Sequence, residues 1–283
     1  MSTHRPSGAI GLVLARPPRL LGTEPFFMEF IAGIEQHLAD WDLSLLLHVV
    51  STQDGELAAY RRWAAQRMVE ATVVVNLVHD DPRPALLRSL DMPAVLVGEP
   101  EDGHGFPTVR TDNAGPVREA LRVLLDLGHR RIGRVTGPAQ LLHTRARTDA
   151  LVAGCREAGI EPLIAEGDYS EESGAKRTTE LLSGAEPPTA LLYDNDVMAL
   201  AGLAAAKELG IEVPERLSII AWDDSTLCRL ATPSLTTMSV DVHQYGVSVA
   251  ESVLELVDGV PVAERWSPGA KCVLRASTAT PPA

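Results

Sequence analysis

Short runs of β-branched and aliphatic residues alternate with longer stretches of helical periodicity from one end of this chain to the other, and this alternation restricts the fold more than any other feature. The runs Ala9–Leu14, Leu43–Val49, Ala71–Asn76, Ala94–Val97, Thr108–Arg110, Arg131–Val135, Leu163–Glu166, Ala190–Tyr193, Leu217–Ala221 and Cys272–Leu274 are predicted strands. Between them, Pro25–Asp40 carries Phe27, Ile31, Ile34 and Leu38 on one helical face, with proline in the first turn, where its missing N–H costs no hydrogen bond. Comparable patterns cover Glu56–Val69, Pro84–Leu90, Ala114–Leu127, Arg147–Ala158, Glu171–Leu182, Val197–Leu209 and His243–Val257, and Gly128, Gly159, Gly210 and Gly259 close several of them. Such a rhythm is the signature of an α/β chain with parallel sheets covered by helices on both faces.

So many strands are too many for one small sheet. The pattern passes Leu127-Gly-His-Arg-Arg-Ile-Gly133 and starts again, which predicts two doubly wound parallel-sheet lobes without a sequence repeat between them. The long helix before the final strand implies that the chain crosses between lobes more than once, making a hinge. The net charge of −13 in 283 residues argues against direct binding of nucleic acid, which needs Lys and Arg against phosphates. Cys155, Cys228 and Cys272 are far apart and odd in number, so neither a disulfide framework nor a zinc site is indicated, and a reducing cytoplasm fits. No signal-peptide pattern opens the chain, and no apolar run approaches the roughly 18 residues that span a bilayer.

In open α/β sheets ligands bind beyond the carboxyl ends of the strands, and here those ends are polar. The first strand is followed by the loop Ala15–Glu24 and Pro25-Phe-Phe27, the third ends at Asn76, and the fifth runs into Thr111-Asp-Asn113. Tyr169 follows Glu166-Gly-Asp168, while later strands run into Asp194-Asn-Asp196 and Trp222-Asp-Asp224. Carboxylates, amides, an arginine and aromatic faces suit a polyhydroxylated ligand such as a carbohydrate or nucleoside. Each Asp or Asn could equally be a turn residue or helix cap, and Asp194, directly before a helical run, reads as a cap. Phe27 reads as core, whereas Phe26 lies off that stripe. Arg147 opens a predicted helix, where a cation opposes the dipole, which asks for another reason for its presence. The eight histidines, including His129, read mainly as turn or surface residues.

No dinucleotide glycine fingerprint, P-loop, Gly-x-Ser-x-Gly elbow or His-Glu-x-x-His occurs, so no cofactor, resident metal or catalytic residue is implied.

The segments Ala9-Ile-Gly-Leu-Val-Leu14, Pro25-Phe-Phe, Gly33-Ile-Glu35, Thr111-Asp-Asn113, Leu127-Gly-His-Arg-Arg-Ile132, Gly167-Asp-Tyr-Ser-Glu-Glu-Ser-Gly174, Asn195-Asp-Val-Met-Ala-Leu200, Trp222-Asp-Asp224 and Thr232-Pro-Ser-Leu-Thr-Thr237 resemble LacI/GalR-type transcriptional regulators, in order and at family spacing. The resemblance spans about residues 8 to 280. It implies a periplasmic-binding-protein-like fold, with residues 8–128 plus 242–267 in one lobe and 129–239 plus 268–280 in the other. It further implies an inter-lobe cleft for a small-molecule effector, most naturally a sugar or sugar derivative, and a homodimer for which the helices at Glu56–Val69 and Pro84–Leu90 are candidate interface elements. Family ligand contacts carried onto this sequence fall on Phe26, Asn76, Asp112, Arg147, Tyr169, Asn195 and Asp223, with Tyr169 as stacking platform and Arg147 and Asp223 as the main hydroxyl partners.

Three departures keep the ligand open: the loop Ala15–Glu24 is longer than the family's usual turn, Asp149 and Ala150 follow the arginine, and Val240 replaces a position that is often polar. The family's DNA-reading headpiece is also absent, because only eight residues precede Ala9 and a helix-turn-helix needs two helices. The expectation is therefore a non-enzymatic core whose DNA contacts are made through a headpiece outside this sequence, with no membrane partner. Two other classes share features with it: a solute-binding protein of a sugar transporter, and a glycosidase using Asp223 and Asp196.

Overall fold

The computed structural model describes residues 8–17, 20, 22, 24–101 and 104–282. The residues preceding Gly8, and positions 18, 19, 21 and 23 of the long loop, lie outside that set. The chain forms two compact units, Met1–Asp112 with Asp241–Pro268 and Asn113–Val240 with Gly269–Ala283.

The first unit is built on a six-stranded parallel sheet in the order β11-β5-β4-β3-β1-β2, comprising β1 Ala9–Ala15, β2 Ser44–Val50, β3 Ala71–Val74, β4 Ala94–Val97, β5 Thr108–Arg110 and β11 Arg265–Trp266. Its helices are α1 Pro25–Ala39, α2 Gln53–Gln66, α3 Pro82–Ser89 and α9 Val242–Val257. β3 and β4 are buried at every position, as strands sandwiched between helices must be. The crossing of α1 and α9 depends on glycine in both helices: a Cβ on Gly33 would fall 2.0 Å from the His243 carbonyl oxygen, and one on Gly246 would fall 2.2 Å from that of Phe30.

The second unit repeats the plan in the order β12-β10-β9-β8-β6-β7, comprising β6 Ile132–Thr136, β7 Leu163–Glu166, β8 Ala190–Tyr193, β9 Ser218–Asp223, β10 Thr236–Ser239 and β12 Lys271–Val273. Only β12 runs antiparallel to its neighbour. Its helices are α4 Ala114–Asp126, α5 Leu142–Glu157, α6 Glu171–Leu182, α7 Asp196–Glu208 and α8 Thr226–Leu230. In both sheets the strand order reverses next to the first strand, between β1 and β3 and between β6 and β8, so each unit has a switch point at which its strand ends open. Among the described residues, no helix is long and apolar enough to cross a membrane.

Three elements had no clear sequence signal. β10 reads Thr-Thr-Met-Ser, and Thr236 and Thr237 are fully buried because their polar groups are satisfied locally: Thr236 pairs with Thr278 at 2.9 Å and Arg275 donates to Thr237. β11 and α8 are two and five residues long, too short for any period to show.

The boundary between units also differs from the sequence expectation, falling at Asp112 rather than after 128. The reason is packing: Val117, Ala120, Leu121 and Leu124 of α4 share one core with Leu151 and Cys155 of α5 and with Trp222 of β9, so α4 belongs to the second unit.

His129, expected at a turn or surface, is instead 1% exposed. Its ring bonds Thr189 Oγ1 at 2.9 Å, Ser218 Oγ at 3.0 Å and the Ala279 carbonyl at 2.9 Å, tying the final segment of the chain to the sheet. Burial lowers its pKa below the ordinary 6.5, against the Ala279 hydrogen bond that works to raise it. The unfolded chain therefore takes up this proton first, and the stability due to neutral His129 is complete above pH 6.5 and is lost as pH falls through the folded value. Urea midpoints measured from pH 7.5 to 5.5 should fall more steeply for the native chain than for His129→Gln. His129→Ala should cost about 1–3 kcal/mol at neutral pH, the range for stranding buried partners.

Candidate functional site

In the second unit the carboxyl ends of β6 and β8 are joined by a buried ion pair. Arg134, on β6, donates from Nε at 3.1 Å and from its terminal nitrogen at 2.6 Å to Asp194 Oδ1, and the Gly137 N–H donates to Asp194 Oδ2 at 2.8 Å. Burial works to raise the Asp194 carboxyl, but Arg134, Arg147 and the Gly137 N–H outweigh it and hold the group below its usual range. Asp194 is therefore not the cap that its position suggested. That role falls to Asn195, whose Oδ1 accepts from the Met198 N–H at 2.9 Å to start α7.

Arg147 likewise does not open its helix. α5 begins at Leu142, so the dipole argument fails, and a different set of contacts explains the residue. Its guanidinium lies 3.9 Å above the centre of the Trp222 ring, Nε donates to Asn113 Oδ1 at 3.1 Å, and a terminal nitrogen stands 4.0 Å from Asp194 Oδ1. Stacking on indole and an amide acceptor fix the plane of the fork, while Asp194 is mainly engaged by Arg134. The Arg147 side chain is 12% exposed, so it is oriented but not sealed.

Asp223 ends β9 with φ of 81°, in the left-handed region that non-glycine residues rarely occupy. Among the described residues no hydrogen bond reaches its carboxyl. Burial, and then the charge of Asp196, push that carboxyl up to about 8, against the pull of Arg147. Its neighbour Asp224, also left-handed at 61°, is turned the other way, pairing with Arg275 at 2.7 Å. Tyr169 has φ of 70° and is 7% exposed. Asn195 Nδ2 donates to the Tyr169 carbonyl at 3.1 Å, and the phenol oxygen meets His143 Nε2 at 2.7 Å. The ring rests on Gly137, where any Cβ would come within 2.1 Å of it. Asn195 thus caps a helix and holds Tyr169 at once, keeping one N–H and one lone pair for anything further.

The remaining residues of the set stand in the first unit, each beyond a different strand. Asn76 follows β3 with φ of 53°. Phe26, in the first turn of α1 after β1, is half-buried and stacks on Phe30 at 6.0 Å between centroids, whereas Phe27 is core, as its spacing predicted. Asp112 follows β5 and is exposed. The structure therefore brings Arg147, Asp223, Tyr169 and Asn195 into one connected group and sets Phe26, Asn76 and Asp112 at strand ends of the other sheet. Residue-by-residue reading missed Trp222, Asn113 and Arg134 as supports. A charged residue inside the strand run Ile-Gly-Arg-Val-Thr was the available signal for Arg134.

A carboxyl raised by burial is protonated in the folded state after the unfolded chain has lost its proton, so stability due to Asp223 is lost as pH rises from 3.8 to about 8. Asp223→Asn, which stays neutral, should gain stability relative to the native chain across that window. Melting midpoints of both proteins from pH 5 to 8.5 check this, and a constant difference would contradict the buried, charge-crowded environment.

Comparison with known proteins agrees with this architecture. The family described as periplasmic binding protein-like domain matches residues 121–278. The HTH-type transcriptional regulator AglR of Rhizobium meliloti (strain 1021) is 30% identical over 97% of this chain and 79% of its own length. Among solved structures, a LacI family transcriptional regulator from Bifidobacterium animalis subsp. lactis superposes with a TM-score of 0.88 at 36% identity, covering 97% of this chain and 98% of the other. The transcriptional regulator CelR in complex with cellobiose superposes with a TM-score of 0.86 at 27% identity, over 95% of this chain and 84% of CelR. With regulators matched along nearly its whole length and both sheets in their expected topology, the chain belongs to the LacI family of transcriptional regulators.

Proposed function

We propose that this chain is the effector-binding and dimerising core of a cytoplasmic LacI-type regulator, and that its effector is a sugar or sugar derivative. The observation that carries the reading is the Arg147 group: a guanidinium held over the Trp222 ring and, coupled to it, a left-handed strand-end carboxyl that no donor among the described residues satisfies. Vicinal hydroxyls answer both needs, donating to Asp223 and accepting from Arg147, and C–H faces answer the aromatic surfaces. A protonated Asp223 can also donate, so the pair accepts a hydroxyl in either orientation. That CelR was solved with cellobiose supports a carbohydrate over other polar ligands.

Regulation follows if the ligand prefers one arrangement of the two units, because a ligand with equal affinity for both shifts nothing. In the full-length dimer that preference changes how the headpieces meet DNA. The acidic charge of −13 keeps this core itself off the phosphates.

Thermal unfolding against mono- and disaccharides including cellobiose, sugar phosphates and nucleosides tests the reading. A ligand at about 100 times its Kd adds about 2.7 kcal/mol, a rise of several degrees. One sugar should produce it, and Arg147→Ala and Asp223→Ala should each abolish it. Stabilisation by nucleosides alone, or by nothing, contradicts a carbohydrate effector. Sedimentation at micromolar concentration should show a dimer, and a monomer there contradicts the assembly.

A further inference from the structure

The first unit contains a buried polar network centred on a charged residue to which the family resemblance gave no role. Its centre is Arg83, in the first turn of α3 and 3% exposed. One terminal nitrogen donates to Glu56 Oε1 and to the Val75 carbonyl, both at 2.9 Å. The other donates to the Asn76 carbonyl at 2.9 Å and to Asp81 Oδ2 at 2.6 Å, while Nε donates to Asp81 Oδ1 at 2.9 Å. Glu56, 2% exposed on α2, also accepts from the Tyr60 hydroxyl at 2.7 Å. Asp81 caps α3 through the Arg83 N–H at 3.0 Å.

Two features of this arrangement exceed what stability requires. A guanidinium buried with two carboxylates gives little net stabilisation against an apolar replacement of the same shape, because desolvation offsets the attraction. Its two terminal nitrogens, moreover, are both spent on consecutive backbone carbonyls, those of Val75 and Asn76, at the point where β3 ends and the chain turns through the left-handed Asn76. A left-handed conformation at a residue with a Cβ carries a backbone cost, small for asparagine, and contacts that hold it there fix the direction in which the side chain leaves the chain. Here the contacts are these two hydrogen bonds from one planar, immobilised donor.

We propose that Arg83 is a positioning residue of the effector site: braced by Glu56 and Asp81, it grips the carbonyls of Val75 and Asn76 and so sets the backbone that presents the Asn76 side chain to ligand. The proposal rests on the reading of Asn76 as an effector contact. Lysine is not an equivalent, since a single ammonium cannot serve two carbonyls and two carboxylates in one plane. Arg83 acts only through Asn76, so its effect on binding disappears when the Asn76 side chain is absent.

The test compares the native chain, Arg83→Lys, Asn76→Ala and the double variant by calorimetric titration with cellobiose, with a crystal structure of Arg83→Lys. Glu56→Gln serves as a milder variant in case Arg83→Lys fails to fold. The expected results are an Asn76 that leaves the left-handed region in Arg83→Lys, a loss of cellobiose affinity of about tenfold, and no further loss when Arg83→Lys is added to Asn76→Ala. An Asn76 that keeps its conformation, or losses that add in full, overturn the positioning role while leaving the effector site intact. An Asn76→Ala variant that binds cellobiose unchanged removes Asn76 from the effector reading and the proposal with it; where the native chain takes up no cellobiose the crystal structure of Arg83→Lys decides, and an unchanged Asn76 conformation there overturns the positioning role.

Discussion

The ion pair between Arg134 and Asp194 fixes the carboxyl end of the second sheet, and the site residues around it are arranged in consequence. The two side chains are 2% and 1% exposed, so each charge depends on its partner, and removing one partner of such a pair costs about 3–5 kcal/mol. The pair spans β6 and β8 at the place where strand order reverses, where a parallel sheet leaves its strand ends open to ligand. It orders the Gly137 N–H, and with it the backbone on which the Tyr169 ring rests. Because Asp194 is already engaged by Arg134, Arg147 lies at the edge of that interaction, free to stack on Trp222 and face Asp223.

The first unit solves the same problem with a different residue. There the strand end at Asn76 is held by a guanidinium from a helix, Arg83, rather than from within the sheet. In both units a buried arginine paired with carboxylate holds the backbone at the switch point, through the Val75 and Asn76 carbonyls in one and through the Gly137 N–H on Asp194 in the other. Left-handed residues stand at several strand ends, Asn76 after β3, Tyr169 after β7 and Asp223 at the end of β9, positions suited to presenting side chains to a ligand.

Much of this was legible in the sequence because the elements that matter are long and periodic. β1, β4 and β8 are continuous apolar runs, and α1 shows its buried stripe at Phe27, Ile34 and Leu38. The polar strand ends were also visible as composition. The distribution of roles among adjacent polar residues was not: Asp194 and Asn195 are neighbours of similar chemistry, and only the direction of each side chain decides which pairs with Arg134 and which caps α7. Arg147 was set at a helix start because the four residues before it carry no apolar period, yet α5 already runs through them. His129 and Thr236 were hidden for the converse reason, since a polar side chain looks exposed until its partners, 60 and 42 residues away in sequence, are known.

The central proposal is that Arg147 and Asp223 together hold the hydroxyls of one effector. Calorimetric titration of the sugar that stabilises the native chain most, against Asp223→Ala and Arg147→Ala, tests it most directly. The expected result is one site per chain and at least a tenfold loss of affinity in each variant, about 1.4 kcal/mol or more. Affinity unchanged in either variant would contradict it, leaving a ligand held without that pair.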